Sequence, residues 1–247
     1  MKNILTIVFT LAALFCNSQS ITVKFSEKVD ISSELEKIEE SEDLGGISGF
    51  FIKQMISNAL EDPFIFELKG NSKGESIYLN TDEEEESSFF SMDISSNEDI
   101  IYTNHKDKTF TKQSSFMSRK FLISGEVVHR DWTLLKEESK IAGYNCKKAF
   151  SLDTPTDTVY AWYSDAIPFQ YGPKGFGGLP GFILKVSLEE IEIQATSVSL
   201  SKDDLEINKP QKGKKVTAQE FEEIQKKRMN DMGGDDDEPR LKVITVD

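Results

Sequence analysis

The sequence predicts a mainly β protein: a single antiparallel curved sheet or half-open barrel with one or two helices packed on it. Three observations carry this. Short runs of alternating, β-branched and aromatic residues recur along the chain. Polar turns rather than long helices join them, which favours a meander over alternating βαβ units. Finally, 17 Phe, 6 Tyr and 2 Trp among 247 residues supply bulky apolar surface for a core, although only 38% of the residues are hydrophobic.

Residues 1–20 read as an export signal. Lys2 supplies a positive start, residues 4–15 are an almost unbroken apolar run, and Ser18-Gln19-Ser20 resembles a small-residue cleavage site. The run is shorter than the ~20 residues a bilayer-spanning helix needs, and a polar segment follows it. A lipoprotein would carry a small residue directly before its modified cysteine, whereas Cys16 follows Phe15. The expected product is an exported protein, periplasmic, outer-membrane associated or extracellular, with no transmembrane segment in the mature chain. Residues 21–247 then form a single β-rich domain with acidic loops near 81–99 and 231–239.

Within that domain the strand pattern falls on 21–25, 64–68, 76–79, 100–104, 108–111, 120–123, 131–135, 144–152, 158–163, 182–188, 191–200 and 241–246. Two helices interrupt it. Residues 47–60 carry Phe51, Met55 and Leu60 at helical spacing and end before Pro63. Thr217-Ala218-Gln219-Glu220 is a capping box, with Phe221 and Ile224 on one face and Glu222/Lys226 and Glu223/Lys227 four apart.

Charge excludes one class of function. With 43 acidic against 29 basic side chains the net charge is −14, so the chain lacks the basic footprint that displaces counterions from nucleic acid. The runs at 82–86 and 235–238 lack the Asp-x-Asp-x-Asp-Gly spacing that wraps one calcium ion, and they read as solvated loops. Met229 and Met232 beside the second run would have to supply any thioether copper site, and ordinary packing methionines fit them better. No metal and no cofactor is assigned.

Catalytic signatures are incomplete. The only histidines, His105 and His129, sit in no His-Glu-x-x-His run. Gly45-Gly46-Ile47-Ser48-Gly49 stops short of a nucleophile elbow, because position 50 is Phe50. Loss of Cys16 with the leader leaves Cys146 as a lone thiol, so no intrachain disulfide forms. Cys146 reads as a small buried hydrophobe, with a reactive thiol paired to a histidine as the alternative. No catalytic residue is assigned.

One segment departs from the rest of the chain. Pro168, Gly172, Pro173, Gly175, Gly177, Gly178, Pro180 and Gly181 bring five of the 15 glycines and three of the 7 prolines into fourteen residues. No regular element is expected through it. Phosphate-cradling loops lead into a helix, whereas Phe182-Ile183-Leu184-Lys185-Val186 reads as a strand, and the Walker ending is missing. What remains is a shaped loop with Phe169, Tyr171, Phe176 and Leu179, next to Trp162 and Tyr163. It is either a tightly folded sheet crossing or a docking surface.

Trp132, residues 140–149, Ala161-Trp162-Tyr163, Ile167-Pro168, Gly172-Pro173 and Phe176-Gly177-Gly178-Leu179-Pro180-Gly181-Phe182-Ile183 together resemble the GLPGLI family. Phe182 stands where that family's hexapeptide has leucine, an apolar exchange that a buried strand start absorbs. The resemblance implies an exported protein of Bacteroidetes-type bacteria, often encoded near outer-membrane receptors, and no established activity. The strand pattern itself is similar to that of periplasmic half-barrel lipoprotein carriers.

The expected function is therefore a non-enzymatic envelope protein binding an apolar ligand or a protein or peptide partner such as an outer-membrane receptor. The 168–181 loop would lie beside the mouth or interface, with Trp162, Tyr163, Tyr171 and Phe176 supplying contact area. The alternatives are a thiol-dependent hydrolase using Cys146 and a metal-binding envelope protein.

Overall fold

The computed structural model describes residues 19–30, 32, 54, 62–81, 99–152 and 158–231. Within them the strands are β1 (Ser20–Val29), β2 (Phe64–Asn71), β3 (Glu75–Asn80), β4 (Ile100–Asn104), β5 (Thr109–Phe116) and β6 (Arg119–Glu126). There follow β7 (Thr133–Ile141), β8 (Tyr144–Leu152), β9 (Thr158–Ser164), β10 (Phe182–Ser187), β11 (Ile191–Ser201) and β12 (Lys214–Thr217), then one helix, α1 (Ala218–Asp231). All twelve strands form one open sheet in the order β12-β6-β5-β4-β3-β2-β1-β11-β10-β9-β8-β7.

The sheet is two meanders joined at β1. The first runs outward from β1 to β6, the second returns from β7 to β11, and the antiparallel β1–β11 pair seals them, Ser20 facing Ser201 and Val29 facing Ile191. Joining them requires the chain to pass from β6 to β7, ten strand positions away, using only residues 127–132. A flat sheet would separate those strands by about 48 Å at ~4.8 Å per strand, whereas seven peptide links reach at most about 25 Å. The sheet must curl, and β7 accordingly comes into contact with β11, four positions away in the sheet.

Curling gives the strands an inner and an outer face. In β1, Ile21, Val23, Phe25 and Glu27 are buried while Lys24 and Lys28 face out, the alternation that a half-buried strand requires. Two apolar clusters fill the inside. The larger joins β1–β4 and β8–β11 to Ile167, Phe169, Tyr171, Phe176 and Leu179 of the β9–β10 connection. The smaller packs Phe221 of α1 on Phe110, Phe121, Ile123 and Val216. Near the boundary lies an ion pair between Lys112 and Asp99, both largely buried.

Eleven of the twelve expected strands are present at or within a few residues of their expected positions. β12 was not expected, and its pairing with β6 is parallel, which makes the sheet mixed. The capping box forms as read: Glu220 N donates to Thr217 Oγ1 at 3.1 Å and Thr217 N to Glu220 Oε2 at 2.8 Å. Glu222 and Lys226 pair at 3.9 Å. The leader through residue 18, Gly45–Gly49, the 47–60 helix apart from Gln54, the acidic runs at 82–86 and 235–238, Met232 and the 241–246 strand lie outside the described residues, as does the Met229 side chain. No helix among the described residues is long and apolar enough to cross a membrane.

Candidate functional site

The Gly/Pro segment is the β9–β10 connection, and it turns inward. Its backbone polar groups find partners locally: Gly172 N donates to Phe176 O at 2.8 Å, Phe176 N to Pro173 O at 2.9 Å and Ile183 N to Tyr171 O at 3.0 Å. Tyr171 and Gly177 form an isolated antiparallel bridge around a 3₁₀ turn at Pro173–Gly175, so the segment holds more order than its composition predicts. Close approach dictates the glycines. A Cβ on Gly172 would lie 2.6 Å from Ile183 Cβ, and one on Gly181 would collide with the Ser164 carbonyl.

Tyr171, Lys174 and Phe176 anchor the segment from within, and Trp132 holds it from outside. The Tyr171 ring stacks on His105 at 4.4 Å, meets Phe182 edge-on at 5.8 Å and lies in the space left by Gly70, while its hydroxyl donates to Asn71 O at 3.3 Å. Burial pushes that hydroxyl far above the ordinary tyrosine range. Lys174, with a left-handed φ of 48°, donates to the buried Glu27 carboxylate at 2.7 Å, and Tyr78 OH approaches the other carboxylate oxygen at 3.5 Å. Phe176 lies under the Arg130 guanidinium at 4.6 Å, and Trp132 Nε1 donates to Gly177 O at 2.9 Å. Arg130 and Trp132 belong to the short β6–β7 crossing, so the element that forces the curl also clamps the plug.

The sequence-identified residues thus divide between two faces. Tyr163, Tyr171, Gly172, Pro173, Phe176, Leu179 and Gly181 are buried, while Gly178, with φ +86°, sits beside Trp132, and Pro168 and Pro180 are exposed. Trp162 points the other way. On the outer face, Phe150 and Tyr160 rings lie 6.4 Å apart, and Tyr160 and Trp162 rings 6.5 Å apart. Lys148 covers Tyr160 at 4.5 Å, and Lys148 and Lys185 flank Trp162 at 5.3 and 5.1 Å. Leu152, 62% exposed, continues the strip.

Cys146 is 1% exposed, and its Sγ donates to Tyr144 O at 3.6 Å. Burial raises its thiol to about 11, the opposite of the activation a nucleophile needs. His105 instead meets Ser76 Oγ at 2.9 Å through Nε2, and burial lowers its pKa to about 4. Burial thus keeps the imidazole neutral near pH 7, and the ring packs flat on Tyr171. His129 lies near Asp131, at 3.5 Å on the surface. Glu27, Gly70 and Asn71 are site residues that the sequence reading missed. Glu27 did carry a signal, since it occupies the inward phase set by Ile21, Val23 and Phe25.

With this geometry in view, residues 80–225 match a family model described as N-glycanase peptide, N-terminal domain. That match overturns the GLPGLI resemblance. Physically, the hexapeptide at 178–183 consists of a positive-φ glycine, a glycine pressed on backbone and apolar strand-start residues, so it specifies a loop shape that one short motif cannot assign to a family. Two crystal structures of PNGF-II, in the P21 and C2 space groups, share the fold at TM-scores of 0.53 and 0.52 with 14% identity. Each comparison covers 84% of this chain, which spans about a third of the PNGF-II length: 33% and 32%. No curated protein matches the sequence.

Three outcomes follow from the site. Gly181→Ala should cost about 3 kcal/mol of stability, because the rigid Ser164 carbonyl cannot yield, read as a lower urea midpoint at unchanged slope; a variant as stable as the parent would refute the plug. Cys146 should label at least ~100-fold more slowly at pH 8 in the native protein than in urea, since a thiol near 11 is about a thousandth thiolate there. His105 lies lower in the folded state, about 4, than in the unfolded chain, about 6.5, so its contribution is fully present above pH 6.5 and is lost as pH falls towards 4. The loss, discounted for partial exposure, is about 2 kcal/mol, and His105→Gln should flatten the stability profile in that window.

Proposed function

The chain belongs to the N-glycanase peptide, N-terminal domain family, and from that premise we propose that it is an exported, non-enzymatic binding domain whose partner is a glycan-bearing polypeptide. The observation that carries this reading is the outer aromatic strip. Tyr160 is 37% exposed and Leu152 62%, although a sheet whose apolar side chains all served the core would turn them inward. The flanking lysines are partly neutralised, Lys185 by Glu192 at 2.7 Å and Lys148 by Glu137 at 3.8 Å, and their ammonium groups lie over the Tyr160 and Trp162 rings, so the strip sets aromatic surface beside charged hydrogen-bond donors and acceptors. Flat rings with a polar border suit a pyranose, which offers an apolar C–H face and equatorial hydroxyls.

The inner face supports the same choice between partners. Ile167, Phe169, Tyr171, Phe176 and Leu179 occupy the space where an apolar ligand would lie, which favours contact on the outside. Cys146, buried and electrostatically disfavoured as a thiolate, gives no support to a thiol hydrolase.

Binding is checked by titrating an N-glycosylated protein, before and after removal of its glycans, into the full chain and into Trp162→Ala and Tyr160→Ala. The glycosylated form should bind, the stripped form should bind at least ~10-fold more weakly, and each variant should lose about 1–2 kcal/mol of binding, with the exposed Tyr160→Ala keeping its thermal unfolding and Trp162→Ala, whose ring also packs on the core, compared at a temperature where it is fully folded. Equal binding of the two forms would sink the glycan reading.

A further inference from the structure

At the opposite margin of the sheet, the β5–β6 hairpin, the start of β12 and the second half of α1 enclose a groove of about 540 Å³. Its floor is apolar: Phe116, Phe121 and Ile224, with Met117 at the hairpin tip 40% exposed. Its rim is cationic, formed by Arg119, Lys214, Lys227 and Arg228, with no acidic residue in the lining. In a chain of net charge −14, four converging cations are a local reversal of sign. Among the described residues none of the four has an ion-pair partner, although the neighbouring Lys226 pairs with Glu222.

Helix chemistry explains part of this. Lys227 and Arg228 lie near the carboxy-terminal end of α1, where cations complement the macrodipole. It does not explain why Arg119 and Lys214 arrive at the same place from two different strands. A further observation concerns the backbone. β12 pairs with β6 on one side only, so among the described residues its other edge is open at Lys214, a rim residue.

We propose that this groove docks an acidic segment of a partner polypeptide, its carboxylates on Arg119, Lys214, Lys227 and Arg228 and an apolar side chain on Phe116, Met117 and Ile224. The apolar floor selects against a small anion, which would gain nothing from it. Concavity disfavours a flat membrane surface, and the open β12 edge offers hydrogen bonds to an extended chain. Complementary charge steers the encounter, and the buried apolar contact slows its release. The groove is separate from the outer aromatic strip, so it stands whether or not the glycan reading does.

The test uses a fluorescent synthetic decapeptide in which Asp and Glu flank Leu-Val-Phe, titrated into the full chain. A control peptide carries Asn and Gln at the acidic positions. The acidic peptide should bind, the control should bind at least ~10-fold more weakly, and binding should weaken as salt rises from 0.05 to 0.5 M. The exposed-residue variant Arg119→Glu/Lys227→Glu should lose at least ~10-fold in affinity at unchanged circular dichroism. Lys214→Glu/Arg228→Glu provides the same reading if the first variant fails to fold. Met117→Ser should lose affinity for the acidic peptide while retaining the salt dependence. Binding indifferent to both charge reversals overturns the proposal. So does capture of phosphatidylglycerol vesicles without capture of the peptide, which would assign the surface to a membrane. If neutralising Asp235, Asp236, Asp237 and Glu238 in the full chain raises peptide affinity at least ~10-fold, the occupant is the chain's own acidic segment and the partner is overturned.

Discussion

The six residues between β6 and β7 impose the geometry from which much else follows. They must join strands ten positions apart, so the sheet cannot lie flat. A curled sheet of this size has an inner apolar face too wide for its own side chains to close, and that face must be covered. The cover comes partly from α1, over β5, β6 and β12, and partly from the β9–β10 connection, which enters the concavity and is clamped by Trp132 and Arg130 of the crossing itself. The constraint that creates the hollow and the residues that close it are thus neighbours in sequence.

Covering a sheet with a loop carries a specific difficulty. Loop backbone lacks a regular ladder, and each buried amide or carbonyl without a partner costs about 1–3 kcal/mol. The connection meets this with the Tyr171–Gly177 bridge and its 3₁₀ turn, which pair the loop with itself, and with glycines where strand and loop backbones touch. Its charged anchor is different in kind. The Lys174–Glu27 pair, with side chains 15% and 4% exposed, is weak as a source of net stability because desolvation offsets much of the Coulombic gain. It acts better as a registration device, because sliding the loop would leave Glu27 buried and unpaired.

Much of this was legible in sequence, and the omissions have physical causes. Eleven strands announced themselves through alternation, as in β1, where Ile21, Val23 and Phe25 alternate with Thr22 and Lys24. β12 did not, because Lys214-Lys215-Val216-Thr217 offers one buried apolar residue and its parallel partner, β6, lies ninety residues upstream. Composition marked the Gly/Pro segment as special but left open whether it faced in or out, since glycine and proline report backbone shape and say little about burial. Trp162 and Tyr163, adjacent in sequence, divide between the outer and inner faces, so reading them as one contact surface ignored the two-residue period of a strand. His105 drew notice as a possible partner of Cys146, yet topology placed it on the β4–β5 turn against Ser76 and Tyr171.

Inside the curl, Ile167, Phe169, Tyr171, Phe176 and Leu179 of the β9–β10 connection pack on the sheet, so among the described residues the chain's own side chains line the concave face. The outside then offers two surfaces of unlike chemistry at opposite ends of one sheet: aromatic rings bordered by lysines on β8–β10, and a cationic groove over an apolar floor between the β5–β6 hairpin and α1. Twelve strands tied into one sheet hold these surfaces at a fixed separation, because moving one relative to the other would require breaking the β1–β11 seam or bending the backbone ladder. If both surfaces engage one partner, the second contact becomes intramolecular once the first has formed, and its strength depends on how well that separation matches the partner. A rigid sheet favours a partner of matching span and penalises others, so selectivity can come from the scaffold even where each individual contact is modest.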